Sequence, residues 1–280
     1  MQETLDRTGE TALTPSQRAQ LERDGFVVLR GLFSQQEVAE IRDTFMDAAK
    51  DGPVAGMSDT GRIPRDTNDP LAFYPRMMNP HAHRDMPVGT VANKYMLDPR
   101  LRPALEAGLG EEPVAVQSMF YFKPAGARGQ ALHQDNFYLR VAPGTCFAAW
   151  LAIDDADADN GGMMVVPGTG DMEVVCPEKA DNTIFFTSEF VAPPPGKQEV
   201  LVELKAGDVL FFNGSLIHGS YPNTSKDRFR RSLIFHYAPR YSQELSSGYR
   251  NPTTFDGEIV QIAPAQGGGP CGVPVPMGPH

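Results

Sequence analysis

Only three cysteines, Cys146, Cys176 and Cys271, occur in 280 residues. They are odd in number, lie far apart and form no C-x-x-C pair, so their spacing indicates neither a disulfide framework nor a thiolate zinc site. No apolar run approaches the ~20 residues that a membrane span requires, and the opening MQETLDRTGETALTPSQ lacks the apolar core of a secretion signal. Both absences lead to the expectation of a cytoplasmic protein with no membrane association. Basic residues are scarce as well: 25 Lys and Arg against 35 Asp and Glu leave a net charge of -10. The clustered cations of a nucleic-acid footprint are therefore not expected, and small molecules are the expected partners. What is present, 41% hydrophobic and 21% charged residues, suffices for a sizeable core in one globular domain spanning 1–280.

The chain begins with helix signals. Thr14-Pro15-Ser16-Gln17 is a capping box with proline at the first helical position, and the helix it opens is expected to stop near Asp24-Gly25. Phe26 to Leu29 reads as a short strand. Ser34 and Glu37 form a second box, opening a helix that puts Val38, Ile41 and Phe45 on one face and closes at Gly52. From Gly52 to Val88 the sequence is rich in Gly, Pro, Asp and Asn, which predicts a long functional loop carrying Arg62, Arg65, Arg76, Met77 and Met78. A third helix is predicted over 98–109, between Asp98-Pro99 and Gly110. These elements form a helical support over 14–110.

After Val114 the texture changes to short apolar or alternating runs separated by turns. Strands are predicted at 114–122, 132–139, 147–153, 163–166, 200–204, 209–212 and 232–237. Asn160-Gly161 is the strongest hairpin signal and Ala206-Gly207-Asp208 marks another turn. Strands in one block behind a helical leader predict a mainly β fold, a double-sheet jelly roll with its core at about 113–240 and helices on one side. The Gly- and Pro-dense tail from Ala263 is expected to be irregular.

His133-Gln134-Asp135 falls in a strand-like segment, where residues i and i+2 share a face, so an imidazole and a carboxylate would project together. A third ligand could come from His218, which follows the apolar strand 208–213. Two His and one carboxylate on one face of an octahedral metal leave three positions open, the set suited to iron(II) that binds a co-substrate and oxygen together. H-x-D alone is a weak signal. It stands here with a Lys-Pro at 123–124, LHQD at 132–135, Trp150 leading the next strand, DNGGMMVVPGT at 159–169, GDVLFFNGSLIHGS at 207–220 and DGFVVLRGLF at 24–33. In all of these the chain resembles the phytanoyl-CoA dioxygenase family of iron(II) and 2-oxoglutarate enzymes, up to about Tyr237.

The resemblance implies a double-stranded β-helix and assigns His133, Asp135 and His218 to the iron. It also implies an arginine about a dozen residues beyond the distal His, gripping the far carboxylate of 2-oxoglutarate as a bidentate pair. Arg228, Arg230 and Arg231 are the candidates. Arg230 has the family's offset from the strand 232–237 and shares the face of Ser232 and Ile234, whereas Arg231 shares that of Leu233, Phe235 and Tyr237. By the same likeness Ser220 would bond the co-substrate carboxylate, Trp150 and Met119 would line its pocket, and Gln117, on the strand face of Met119, is a further candidate. The chain departs from the family at Pro167-Gly168-Thr169-Gly170, where a His commonly follows.

The chemistry implied is oxidative decarboxylation of 2-oxoglutarate by O2 to succinate and CO2, coupled to oxidation of a C–H bond in a small organic substrate. Asp135 favours hydroxylation or a related oxidation over halogenation, which needs the carboxylate position vacant; desaturation, epoxidation and ring formation stay open. Substrates in the family include acyl-CoA, amino acid and natural-product molecules, and fold does not select among them. The loop 52–88 with segments 136–140 and 176–198 is expected to form the substrate pocket and lid. His81 and His83 have metal-like spacing but no third partner, so a surface or pocket role is expected; His236 is expected on the face of Arg230, as a core residue. The alternative class is a cupin-like metal-binding protein without oxygenase turnover, in which Arg230 and Ser220 would have no purpose.

Overall fold

The computed structural model describes residues 13–61, 68–249, 251–266 and 271. Arg62 and Arg65 lie outside them. The helices are α1 (Pro15–Asp24), α2 (Gln35–Ala48), α3 (Pro70–Phe73), α4 (Pro87–Met96), α5 (Arg102–Leu109) and α6 (Asn136–Leu139). The first seven strands are β1 (Phe26–Leu29), β2 (Met77–Met78), β3 (Pro113–Tyr121), β4 (Gln130–His133), β5 (Phe147–Ala152), β6 (Met163–Val165) and β7 (Glu178–Lys179). The rest are β8 (Glu189–Phe190), β9 (Val200–Val202), β10 (Val209–Asn213), β11 (His218–Ser220), β12 (Ser232–Pro239), β13 (Glu244–Leu245) and β14 (Ala263–Pro264).

Both capping boxes form as the sequence predicts. Thr14 and Ser34 each accept from the backbone N–H three residues on, while the side chains of Gln17 and Glu37 reach back to the cap nitrogens. Two sheets face each other as a double-stranded β-helix: six strands in the order β1-β10-β5-β12-β3-β2, and four in the order β4-β11-β6-β9. Alternation along β12 divides the interior. Leu233, Phe235 and Tyr237 point outward into the layer shared with the helices, where α2 contributes Val38, Ile41 and Phe45 and the rings of Phe45 and Phe120 stack 4.0 Å apart. Ile234 points inward with Met119, Trp150 and Phe212.

Several expectations need correction. The predicted strand 132–139 ends at His133, and Asp135 lies in right-handed helical backbone (φ -61°, ψ -36°) at the start of α6. Asn160-Gly161 turns the chain from one sheet into the other, β5 to β6, and closes no hairpin between paired strands, while the turn expected at Ala206-Gly207-Asp208 is present and leads from β9 to β10. The 52–88 region is not simply loop. It holds α3 and β2, and α4 begins at Pro87. α4 escapes the sequence reading because Met86 gives no side-chain cap and Gly89 interrupts its apolar pattern; yet a Cβ at Gly89 would fall 1.8 Å from the His83 carbonyl oxygen, so close packing requires the glycine. The tail is regular at Ala263–Pro264, which pairs in parallel with Glu244–Leu245. Cys176 and Cys271, read as unpaired, form a disulfide with Cα atoms 5.5 Å apart, while Cys146 is free and buried. Ninety-five positions of sequence separate the pair, and spacing of that length carries no pairing information.

Candidate metal centre

His133 and His218 are direct cross-strand partners at the ends of β4 and β11. Each ring is fixed by its own strand: the Nδ1–H of His133 donates to the Ala131 carbonyl at 2.8 Å and that of His218 to Leu216 at 3.0 Å. A carbonyl only accepts, so Nδ1 carries the hydrogen and Nε2 is a bare donor to a metal. Asp135 arrives from the turn after β4, not from the strand, and its flanks hold it. The Gln134 amide donates to the Ser215 carbonyl at 2.8 Å and accepts from the Val175 N–H at 2.7 Å, and the Asn136 N–H bonds the Gly214 carbonyl at 2.9 Å. Asp135 Oδ1 then stands 3.4 Å from His133 Nε2 and 3.6 Å from His218 Nε2.

One ligand atom from each of the three residues lies within 4.8 Å of the others, and all three side chains are buried. Adjacent ligands about 2.1 Å from an octahedral metal sit about 3 Å apart, so these donors need only small shifts to close on an ion. Burial pushes Asp135 upward, but His218 and His236, with the hydrogen bond from His236, hold it well below the ordinary carboxylate range. Burial pushes His218 down to about 4. Both groups are thus in the ligand form at neutral pH, and the set fits a divalent metal.

Next to the donors is a pocket lined by Met119, Trp150, Ser220, Arg230 and the three ligands, among others. Of the three candidate arginines, the structure leaves one facing it. Arg228 is paired with Asp157 at 2.8 Å and Arg231 with Asp154 at 2.7 Å. Arg230 is buried, with its guanidinium carbon 5.2 Å from the Trp150 ring centroid, its Nε donating to Gly161 and its Nη1 to Ser232 Oγ, both at 3.0 Å. Its Nη2 bonds no other described residue. Burial lowers it to about 10.

Lys123 is the residue that sequence reading used only as a motif marker. It is buried in left-handed backbone (φ 39°), donating to Ser220 Oγ at 2.8 Å and to the carbonyls of Gly161 and Tyr221. Burial, then the charge of Arg230, holds it well below an ordinary lysine. Neither cation has a carboxylate partner among the described residues, a costly arrangement for buried charge unless an anion enters. The Lys-Pro motif was the available signal, and what it lacked was the fold that brings residue 123 against Ser220.

Other candidates are placed elsewhere or in supporting positions. Gln117 is fully buried on the inward face of β3 but does not line the cavity. His236 does point inward, and its Nε2–H donates to Asp135 Oδ2 at 2.9 Å, so it braces the carboxylate instead of filling core. His81 bonds Ser118 Oγ at 2.7 Å, away from the metal set. Arg76 is paired with Asp59 and Tyr121. Tyr138 packs with its ring 6.2 Å from His133, whereas Arg140 reaches the Gln266 carbonyl. At Gly170, where the family commonly has His, a Cβ would come 3.0 Å from Gly25 Cα, so the two glycines allow close backbone contact.

Comparison with known proteins places this geometry in context. A nematode relative, the phytanoyl-CoA dioxygenase domain-containing protein 1 homolog of Caenorhabditis briggsae, is 28% identical over 182 residues, which is 54% of this chain and 63% of that protein. Among solved structures, EctD from S. alaskensis with 2-oxoglutarate and 5-hydroxyectoine superposes with a TM-score of 0.66 at 22% identity, covering 90% of this chain and 88% of that one. The epimerase SnoN in complex with Fe3+, alpha ketoglutarate and nogalamycin RO gives 0.61 at 22% identity, covering 90% and 95%. These likenesses concern the fold, the double-stranded β-helix expected from the strand pattern. No described helix is long and apolar enough to cross a membrane. The phytanoyl-CoA dioxygenase family model matches residues 21–232, three quarters of the sequence and every residue of the metal set and the cation pair, and the chain belongs to that family.

Proposed function

We propose that the chain, as one catalytic domain, is a non-haem iron(II), 2-oxoglutarate-dependent dioxygenase that oxidises a C–H bond of a small organic molecule. One observation carries the reading: a buried two-His, one-carboxylate set opens onto a cavity that is also lined by Arg230, a buried cation with no carboxylate of its own. A dianion with one end on the metal and the other on the guanidinium fits that charge pattern. Iron with 2-oxoglutarate and O2 supplies the oxidising power, releasing succinate and CO2.

The protein's own part is positional. His133, Asp135 and His218 hold the metal, with ring orientation set by Ala131 and Leu216 and the free carboxylate oxygen fixed by His236. Arg230 and Ser220 receive the far carboxylate, with Lys123 behind them donating to Ser220 Oγ; Trp150 and Met119 wall its carbon chain and keep water away. A cytoplasmic setting belongs to this reading.

The test is anaerobic loading of the purified protein with iron(II), addition of 2-oxoglutarate, and measurement of the visible metal-to-ligand charge-transfer band, then succinate on admitting oxygen. The band and succinate are expected for wild type and absent for His133→Ala and Asp135→Ala. A wild type that binds iron yet gives no band with 2-oxoglutarate would establish the cupin-like alternative instead.

A further inference from the structure

Three polar atoms next to the metal set have no hydrogen-bond partner among the described residues although all are sealed from solvent: both Nε2 and Oε1 of Gln117, and Nδ1 of His236. Buried polar groups are almost always paired, and an orphan is costly to the fold. Gln117 and His236 are direct partners across the β3–β12 ladder, so their side chains leave the sheet on the same face. That face is the inward one, because His236 Nε2 reaches Asp135. The ladder slips by one residue immediately beyond, between His236 and Tyr237, and a bulge of this kind re-aims side chains at the edge of a site.

The position along the barrel says which ligand these atoms meet. Arg230 leans forward to Ser232 Oγ, four residues before His236, a rise of about 13 Å along the strand. A five-carbon diacid extends only about 6 Å at ~1.5 Å per bond with its zigzag. With its far carboxylate on Arg230 it ends at the metal set, and Gln117 lies past Asp135 on the opposite side. The hydrogen-bonding pattern says what kind of group would fit. Asp135 accepts only, so His236 Nε2 carries the hydrogen and Nδ1 of the neutral ring is a bare acceptor. Gln117 Oε1 is a second acceptor, and the amide N–H is the one donor. A carboxylate entering here would face two acceptors and the charge of Asp135.

We infer that Gln117 and His236 form the substrate-recognition end of the site and take a neutral or cationic group that donates hydrogen bonds, a hydroxyl or an amine, holding the adjoining carbon toward the metal. This rests on the dioxygenase reading above. It is tested with Gln117→Met, which keeps the volume and removes the amide, beside Arg230→Met as a control on the co-substrate end. If the amide has no partner within the protein, Gln117→Met leaves the Tm of the substrate-free protein unchanged or raises it, and leaves 2-oxoglutarate affinity, read from the charge-transfer band, within about threefold of wild type. Succinate release is then measured with matched probes, short-chain alcohols and primary amines against the methyl ethers and carboxylic acids of the same skeletons. Alcohols or amines are expected to stimulate wild type above its substrate-free rate, and Gln117→Met is expected to lose that stimulation at least tenfold. A fall in Tm for Gln117→Met shows that the amide is structural and overturns the inference. So does a loss of 2-oxoglutarate affinity as large as that of Arg230→Met, which makes Gln117 a co-substrate residue, or stimulation of wild type by the acids and not by the donors. Retention of 2-oxoglutarate affinity by Arg230→Met strikes at the dioxygenase reading instead, while the Tm of Gln117→Met still reports on the orphaned amide.

Discussion

Removing the guanidinium of Arg230 while keeping its stem separates co-substrate binding from folding. In Arg230→Met the aliphatic chain still packs on Trp150, while the Gly161 carbonyl keeps Lys123 as a donor at 3.3 Å and only Ser232 Oγ loses its partner. The guanidinium is buried without a carboxylate, and burial holds it down at about 10, so the substrate-free fold loses an unfavourable charge along with a hydrogen bond. Little change in Tm is expected. For 2-oxoglutarate the outcome differs: two charge-assisted hydrogen bonds of about 1.5–3 kcal/mol each disappear, and at ~1.4 kcal/mol per tenfold the affinity falls by about 10² to 10⁴. Arg230→Lys keeps the charge but not the fork, and an intermediate loss of about 10- to 100-fold is expected. The assay is titration of 2-oxoglutarate into anaerobic, iron(II)-loaded protein, following the charge-transfer band, with iron content measured in parallel. Affinity within threefold of wild type in Arg230→Met, at full iron content, would refute the clamp. Arg228 and Arg231 could not then take its place without breaking their pairs with Asp157 and Asp154.

Gly161 sits at φ 87°, and its carbonyl accepts from both Arg230 and Lys123; a Cβ there would lie 2.7 Å from the Tyr221 oxygen and 2.9 Å from Lys123 Cδ. Gly161→Ala is therefore expected to raise KM for 2-oxoglutarate at least tenfold with iron binding intact, checked by succinate kinetics. Glu37 is held down at about 2, first by its hydrogen bond from Arg100 and also by the cap at Ser34. Its folded value lies below the ordinary 4.5, so the stability it contributes is present above pH 4.5 and lost as pH falls toward 2; the Tm advantage of wild type over Glu37→Gln should be full at pH 6 and shrink by pH 3. Thiol titration of unfolded protein should find one free cysteine, Cys146, before reduction and three after; three from the outset in protein kept from oxidants would refute the Cys176–Cys271 disulfide. Phe120→Ala removes a ring stacked at 4.0 Å on Phe45 and should cost about 3–5 kcal/mol in denaturant unfolding.

The sequence by itself determined whatever depends on near neighbours. The two capping boxes, the apolar stripe Val38-Ile41-Phe45 and the alternation that sends Ile234 inward and Phe235 outward are local patterns, and all appear in the structure. The ligand residue types and the family pattern were legible for the same reason, as short motifs. Tertiary structure decided what depends on distant partners. It brought His218 opposite His133 across a strand pair, where the sequence offered only the order of the two residues. It ended the strand at His133 because Gln134 and Asn136 find partners at Ser215, Val175 and Gly214, so that Asp135 meets the imidazoles from a helical turn. It left Arg230 without a carboxylate while pairing Arg228 and Arg231 with aspartates more than seventy positions away, set Lys123 against Ser220, and joined Cys176 to Cys271. Periodicity records which face of an element is apolar; which residues meet across the barrel is fixed only when the sheets close and buried charges must find partners.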